Sequence, residues 1–249
     1  MKTILSFVLL LISSVAFGQN TPISKRRFKT LVSEAYQQFS LKEYDDAKKS
    51  YLEILKFVDE NKVKKFSGKT EYYTSNSYIN GFYTNLAKIE LINKNYSEAI
   101  KYLDKKKEYP FRATCGNANA RIDISMATLY SQCYIGLEKD EEALNFLIPY
   151  ILDNQLGNNS EIVHLTYNLL SKNHSSENLK HQFEDSFKSL NIKKEKRNQY
   201  EYDAFSIRFL NRDIPLENWD FRDLKTQEEK EKLLREILFK SEFYTLLSK

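Results

Sequence analysis

The sequence predicts a mainly α-helical protein built from successive antiparallel helix pairs, closed near its C-terminus by a small β-hairpin and a capping helix. Three observations carry this prediction. Apolar residues recur at steps of three and four along most of the chain, which is the period of one helix face. The 249 residues include only 6 Gly and 4 Pro against 41% hydrophobic residues, the composition of a helix-rich globular chain with enough apolar material for a core. Ala47, Ala99 and Ala143 mark the crossings of three such pairs, because a small side chain lets two helices come close.

Residues 1–18 carry the features of a secretory signal. Lys2 supplies the positive start, Ile4 to Ile12 the apolar run, and Ala16-Phe17-Gly18 a small-x-small cleavage site. The mature chain is expected to begin at Gln19 and to be periplasmic or secreted, and the start resembles that of an exported protein of a Gram-negative bacterium. The apolar run falls short of the roughly 20 residues a span needs, and no second run follows. No stable membrane span is therefore expected after cleavage, and no Cys near the cleavage point suggests a lipid anchor.

The first helix is expected from about Lys25 to Ser40, with Phe28, Leu31, Ala35 and Phe39 on one face. Leu41-Lys42-Glu43 makes a turn, and Tyr44, Ala47, Tyr51, Ile54 and Leu55 mark the second helix. Lys64 to Ser77 is a polar insert containing Gly68. The aromatics Tyr72, Tyr73, Tyr78, Phe82 and Tyr83 near it read as core. From Tyr83 to Lys106, the residues Tyr83, Leu86, Ala87, Leu91, Tyr96, Ala99 and Leu103 sit at the offsets by which two short helices lock together.

A third pair is expected from about Ala118 to Asp153, with Ala127, Tyr130, Ser131, Tyr134, Ala143 and Leu147 at the same offsets. Pro110 to Asn119 forms an extended connector before it. Gly136 and Glu138-Lys139-Asp140 make its turn, and Pro149 kinks or ends its second helix. After a break at Leu156 to Asn159, Ser160-Glu161 and Ser175-Ser176-Glu177 each open a helix. Those helices form a fourth, degenerate pair without the small-residue signature.

Lys193, Lys194, Lys196 and Arg197, interrupted by Glu195, read as a solvated connector. Beyond it Tyr200, Tyr202, Phe205, Ile207 and Phe209 alternate with mostly polar residues. Asn211-Arg212 then precedes Ile214 and Leu216, which is a hairpin pattern. A lone two-stranded ribbon is marginal in water, so it must lie on the helical body or on a partner. Trp219 follows, and Thr226 to Leu247 reads as one closing helix that caps the array.

The segment from Tyr83 to Pro110 resembles a tetratricopeptide repeat, whose pattern is W-x2-L-G-x2-Y, then A-x3-F, then P. Tyr83 stands for the Trp, Leu86 matches, Ala87 stands for the Gly, Ala99 matches, Leu103 stands for the Phe and Pro110 closes the unit. Glu90 replaces the expected Tyr. Leu31, Ala35, Ala47 and Tyr51 form a second copy with departures at Glu34 and Gln38, and in the third copy Tyr134 matches the family position. The alanine-to-alanine steps of 52 and 44 residues exceed the usual 34, so helices or loops are longer than in an ideal array. The resemblance implies a right-handed α-solenoid over residues 19–192, with residues 193–249 as linker, hairpin and capping helix.

Chemistry is weakly signalled. His164, His174 and His181 show no metal-ligand spacing, and Glu161 with His164 reads as a surface pair. Cys115 lies in a loop reading as a helix-capping turn. A helix over Asn117 to Cys133 would hold it about 24 Å or more from Cys133, too far for a bridge, so both read as free or buried thiols. No phosphate-binding Gly-rich loop and no G-x-S-x-G occurs. No catalytic residue, metal or cofactor is expected. With 38 Lys plus Arg against 34 Asp plus Glu, the charge balance does not indicate nucleic acid.

In the repeat family the first helices of successive pairs line a groove. The resemblance places Val32, Tyr36 and Phe39, then Thr84, Lys88 and Leu91, then Thr128, Gln132 and Ile135 toward it. The family's carboxylate clamp uses Lys, Asn and Arg, and only Lys88 stands at a comparable position. An alternative has Phe39, Leu91 and Ile135 buried between helices. The expected function is a non-catalytic interaction scaffold of the cell envelope that binds a peptide or protein. Two alternatives stand beside it: an envelope enzyme using Cys115 or another polar site, and a structural or immunity-like protein that binds through its C-terminal hairpin.

Overall fold

The computed structural model describes residues 25–60, 75–114, 116–152, 159–197, 200–216, 221 and 223–249. The expected signal segment, most of the Lys64–Ser77 insert, Cys115, the break at 156–158 and Trp219 lie outside these residues. The described chain is mainly helical, with ten α-helices and one small antiparallel sheet. It divides into two compact units, Met1–Phe82 and Tyr83–Lys249.

In the first unit, α1 (Lys25–Ser40) and α2 (Tyr44–Glu60) form a helical hairpin. Its core is the predicted face: Phe28, Ala35, Ala47, Tyr51 and Ile54 are fully buried, joined by Phe82 from α3 (Asn76–Ile92). Ring contacts fill the gap that the small alanines leave. Phe28 stacks on Phe57 at 4.5 Å, and Tyr51 lies 5.8 Å from Phe82.

The second unit contains the rest of α3, then α4 (Tyr96–Lys106), α5 (Gly116–Gly136) and α6 (Asp140–Leu147). Helix α6 tightens into a 3₁₀ turn at Ile148–Tyr150, where Pro149 removes a backbone donor. The connector before α5 is shorter than expected because that helix already begins at Gly116. Asn119 fastens it: its amide donates to the Ala113 carbonyl at 2.9 Å, and its side-chain oxygen accepts from the Ala113 N–H at 2.8 Å.

The three turns α1–α2, α3–α4 and α5–α6 are locally the same. Lys42, Lys94 and Glu138 have φ of 64°, 60° and 59°, in the left-handed region. Each stands five residues before a buried alanine, and Ala47, Ala99 and Ala143 are all at 0% exposure. The next N–H in each case (Glu43, Asn95, Lys139) donates to a carbonyl five residues back, on Gln38, Glu90 and Tyr134. The left-handed residue itself donates to Phe39, Leu91 or Ile135. These paired bonds are the Schellman helix stop, here with a side chain where glycine is usual.

Two departures from the repeat pattern take local side-chain hydrogen bonds. Gln38 accepts from the Ser50 hydroxyl at 2.8 Å, and the 1%-exposed Glu90 accepts from the Asn95 amide at 2.8 Å. At the end of α5, a methyl added to Gly136 would overlap the Tyr96 ring, so that contact requires glycine.

Helices α7 (Ser160–Leu170) and α8 (Ser176–Asp185) form as predicted, and the Ser175 hydroxyl caps α8 by accepting from the Asn178 N–H. A 3₁₀ turn, Ser186–Ser189, follows. The expected hairpin is corrected to three strands: β1 (Asn191–Arg197), β2 (Tyr200–Phe209) and β3 (Arg212–Leu216), in that order and antiparallel. The segment expected as a connector is thus an edge strand, because its backbone pairs with β2 from Asn191↔Ser206 to Arg197↔Tyr200.

The sheet lies on the helical body. Phe205, Ile207, Phe209, Ile214 and Leu216 join one apolar cluster with residues of α5 to α8 and of the last two helices. Phe209 meets Phe183 edge-on at 5.3 Å, and Phe243 lies 5.1 Å from Phe183 and 5.8 Å from Phe209. The expected single closing helix is two, α9 (Gln227–Lys240) and α10 (Glu242–Leu247). They break at Ser241, whose extended backbone and buried hydroxyl cap α10 by accepting from the Tyr244 N–H. Thr226 and Glu229 form a reciprocal capping box at the start of α9.

Candidate binding pocket

Helix α5 presents a polar stripe, Arg121, Ser125, Thr128 and Gln132, at steps of four, three and four. That spacing keeps one face in register. Beside it, Ile124 and Leu129 are buried and supply an apolar floor. Lys88 of α3 and Glu161 with Ile162 of α7 complete an open pocket of about 350 Å³ within the second unit. The volume is at the small end of ligand sites and admits two or three side chains.

Its polar groups are ordered by charge. Arg121 stands near the start of α5, and at the other end the Gln132 amide donates to the Glu161 carboxylate at 2.8 Å. Eleven helical steps separate Arg121 from Gln132, about 16 Å along the axis. The Thr128 hydroxyl spends its proton on the Ile124 carbonyl at 3.0 Å, so toward the pocket it presents lone pairs. Lys88 and Arg121 offer donors to an acidic group, Thr128 an acceptor, and Ile124, Leu129 and Ile162 a surface for an apolar neighbour.

Of the nine residues expected to line a groove, Lys88, Thr128 and Gln132 meet in this pocket. Thr84 is half-buried on α3. Leu91 packs against the cluster of Ala87, Ala99 and Leu103, and Ile135 against the larger core. In the first unit Val32 is 3% exposed and belongs to the core. Tyr36 is 36% exposed with its ring edge-on to Tyr51, and Phe39 is half-buried against Tyr44 and Tyr51. Arg121, Ser125, Glu161 and Ile162 were not anticipated. The first two extend the 128–132 stripe backwards by whole helical steps, a signal present in the sequence. The α7 pair carries no such signal.

Behind the pocket, Lys106 at the end of α4 is 7% exposed, its ammonium against the Met126 sulfur at 2.6 Å. Burial, and then the nearby Lys88 charge, push its pKa down to about 8, while Asp123 acts in the opposite direction. Cys133 is a buried thiol whose pKa burial pushes up to about 11, which keeps it protonated and unreactive. Glu161 and His164 do not form the expected pair: Glu161 faces Gln132, and His164 lies 3.3 Å from Glu242. Among the described residues no group of three or more His, Cys, Asp or Glu could hold a metal, and no helix is long and apolar enough to cross a membrane. Comparison with protein-family models, with curated proteins and with solved structures returns no match to this chain.

Proposed function

We propose that the protein is a non-catalytic interaction scaffold of the cell envelope, exported by its N-terminal signal, that binds a short extended peptide segment through the pocket on α5. The observation that carries this reading is the convergence of Lys88, Thr128 and Gln132, three residues named from repeat offsets alone, on one amphipathic pocket. The segment suited to it places an acidic group at Lys88 and Arg121 and an apolar side chain over Ile124, Leu129 and Ile162. Apolar anchors in such pockets supply most of the affinity, and charge sets orientation.

The finer architecture, tetratricopeptide-like hairpins stacked into a right-handed solenoid, belongs to the same proposal. Three equivalent left-handed turns, each five residues ahead of a fully buried alanine, support it. Fluorescence anisotropy of labelled heptapeptides that combine acidic and apolar residues, titrated with the mature chain Gln19 to Lys249, tests the binding reading. A bound peptide should lose affinity by about tenfold or more on Lys88→Glu and on Arg121→Glu, roughly 1.4 kcal/mol. Failure of every peptide, or equal binding by wild type and both variants, overturns it.

A further inference from the structure

The two edges of the sheet differ. β3 lies against the Ile148–Tyr150 turn, and Arg212 at its start reaches Asn145 at 2.7 Å and Glu141 at 2.6 Å on α6, so that edge is covered by helix. β1 is the other edge, and no described strand pairs with its outer side. Every described side chain from Asn191 to Lys196 is exposed, on both faces of the strand. An edge of this kind is a template for one more strand, and charges on it decide which strand can be added.

We propose that β1 pairs antiparallel with β1 of a second copy of this chain across a two-fold axis, joining two sheets into one of six strands. An isologous strand pair sets each residue opposite its mirror position about the axis. With the axis at Lys194, Lys193 of each copy faces Glu195 of the other, giving two cross-strand Lys–Glu pairs. Ile192, 40% exposed, then faces the methylene stem of Lys196. With the axis at Glu195, Lys194 would face Lys196 and the two Glu195 would meet. An axis between Lys194 and Glu195 is excluded by geometry, because it would set a residue whose N–H and C=O point outward against one whose groups point to β2.

Of these registers, strand geometry and charge together favour the one centred on Lys194. The two Lys194 that meet on the axis are each neutralised within their own copy by Asp203, 2.6 Å away. Lys193 sits opposite Ala204 in its own hairpin, a residue with no charge to offer it. Glu195 accepts one bond from the Tyr202 hydroxyl at 2.9 Å, and a carboxylate has acceptor capacity for a second donor. The lysines that discourage an arbitrary apolar strand admit one that presents carboxylates in this order, which β1 itself does.

Sedimentation equilibrium of the mature chain over micromolar to millimolar concentration tests the pairing, and its outcome is independent of the α5 pocket. Wild type should dimerise reversibly. Lys193→Glu and Glu195→Lys should each weaken association by about tenfold, because each turns two attractive cross-strand pairs into repulsive ones. The double variant should recover it. So should an equimolar mixture of the single variants, in which two glutamates on one copy face two lysines on the other. Lys193→Glu leaves the hairpin's own partners in place, and its far-UV circular dichroism should match wild type. A monomer at every concentration, a dimer indifferent to the single swaps, or no recovery in both the double variant and the mixture overturns the proposal.

Discussion

The Tyr130 hydroxyl donates to Asp104 at 2.7 Å, and the same carboxylate oxygen accepts from the Lys107 ammonium, also at 2.7 Å. Lys107 lies 4.7 Å from the centre of the Tyr130 ring, and the same ring stacks on Phe146 at 4.6 Å. The end of α4 therefore grips the middle of α5 through one phenol. Burial, followed by the bond to Asp104, raises the Tyr130 pKa. On Asp104 burial acts upward, but the bonds from Lys107 and Tyr130 outweigh it and hold the carboxyl below its usual value.

Tyr130→Phe keeps the stacked ring and removes only the oxygen. It should lower stability by about 1 kcal/mol at neutral pH, measured by urea denaturation. A carboxyl with a depressed folded pKa stabilises above its unfolded pKa and loses that contribution as pH falls. The difference between wild type and Tyr130→Phe should therefore shrink as pH falls below about 4.

The three Schellman stops hold lysine or glutamate in a conformation that glycine adopts without steric cost. Lys94→Gly and Glu138→Gly should each stabilise the protein by up to about 1 kcal/mol, because the left-handed penalty of the side chain disappears. Lys94→Val should act in the opposite direction, since a β-branched residue fits this region poorly. Thermal unfolding of the three variants decides the matter. Equal midpoints for Lys94→Gly and Lys94→Val would show that the turn does not hold this geometry in solution.

Lys106→Met replaces a buried ammonium by an apolar side chain of similar length beside Met126. Because the folded pKa is lowered from 10.5 to about 8, the native state holds the charge less willingly than the unfolded chain. The penalty is complete below pH 8, fades as pH rises through the interval to 10.5, and is absent above it. The variant should be more stable than wild type at pH 7 by at most about 3 kcal/mol. Its advantage should diminish between pH 8 and pH 10. A pH-independent gain would assign the effect to packing alone.

Helix faces were legible because burial imposes a period: Phe28, Leu31 and Ala35, or Leu179 and Phe183, announce themselves by spacing. The left-handed turns were not, since Lys42, Lys94 and Glu138 carry none of the glycine that usually marks the stop. β1 went unread because both of its faces meet water, so NIKKEKR has no apolar alternation to reveal a strand held by backbone bonds and polar cross-strand contacts. The break at Ser241 was hidden for the opposite reason: the apolar period continues from Leu238 to Phe243 while the backbone turns out of the helix. In the pocket, Lys88, Thr128 and Gln132 were accessible from repeat offsets. Glu161 and Ile162 arrive from α7 only after the tertiary fold has formed.

The rings of Phe183, Phe209 and Phe243 come from a helix, a strand and the final short helix, yet they touch one another. Phe183 and Phe209 can meet without the third ring, but Phe243, 34 residues beyond Phe209 and 60 beyond Phe183 in sequence, closes the cluster. Contacts of such long separation form late in folding, so the two upstream rings keep an uncovered side until α10 docks. A chaperone that shields exposed aromatic surface has its longest opportunity in that interval.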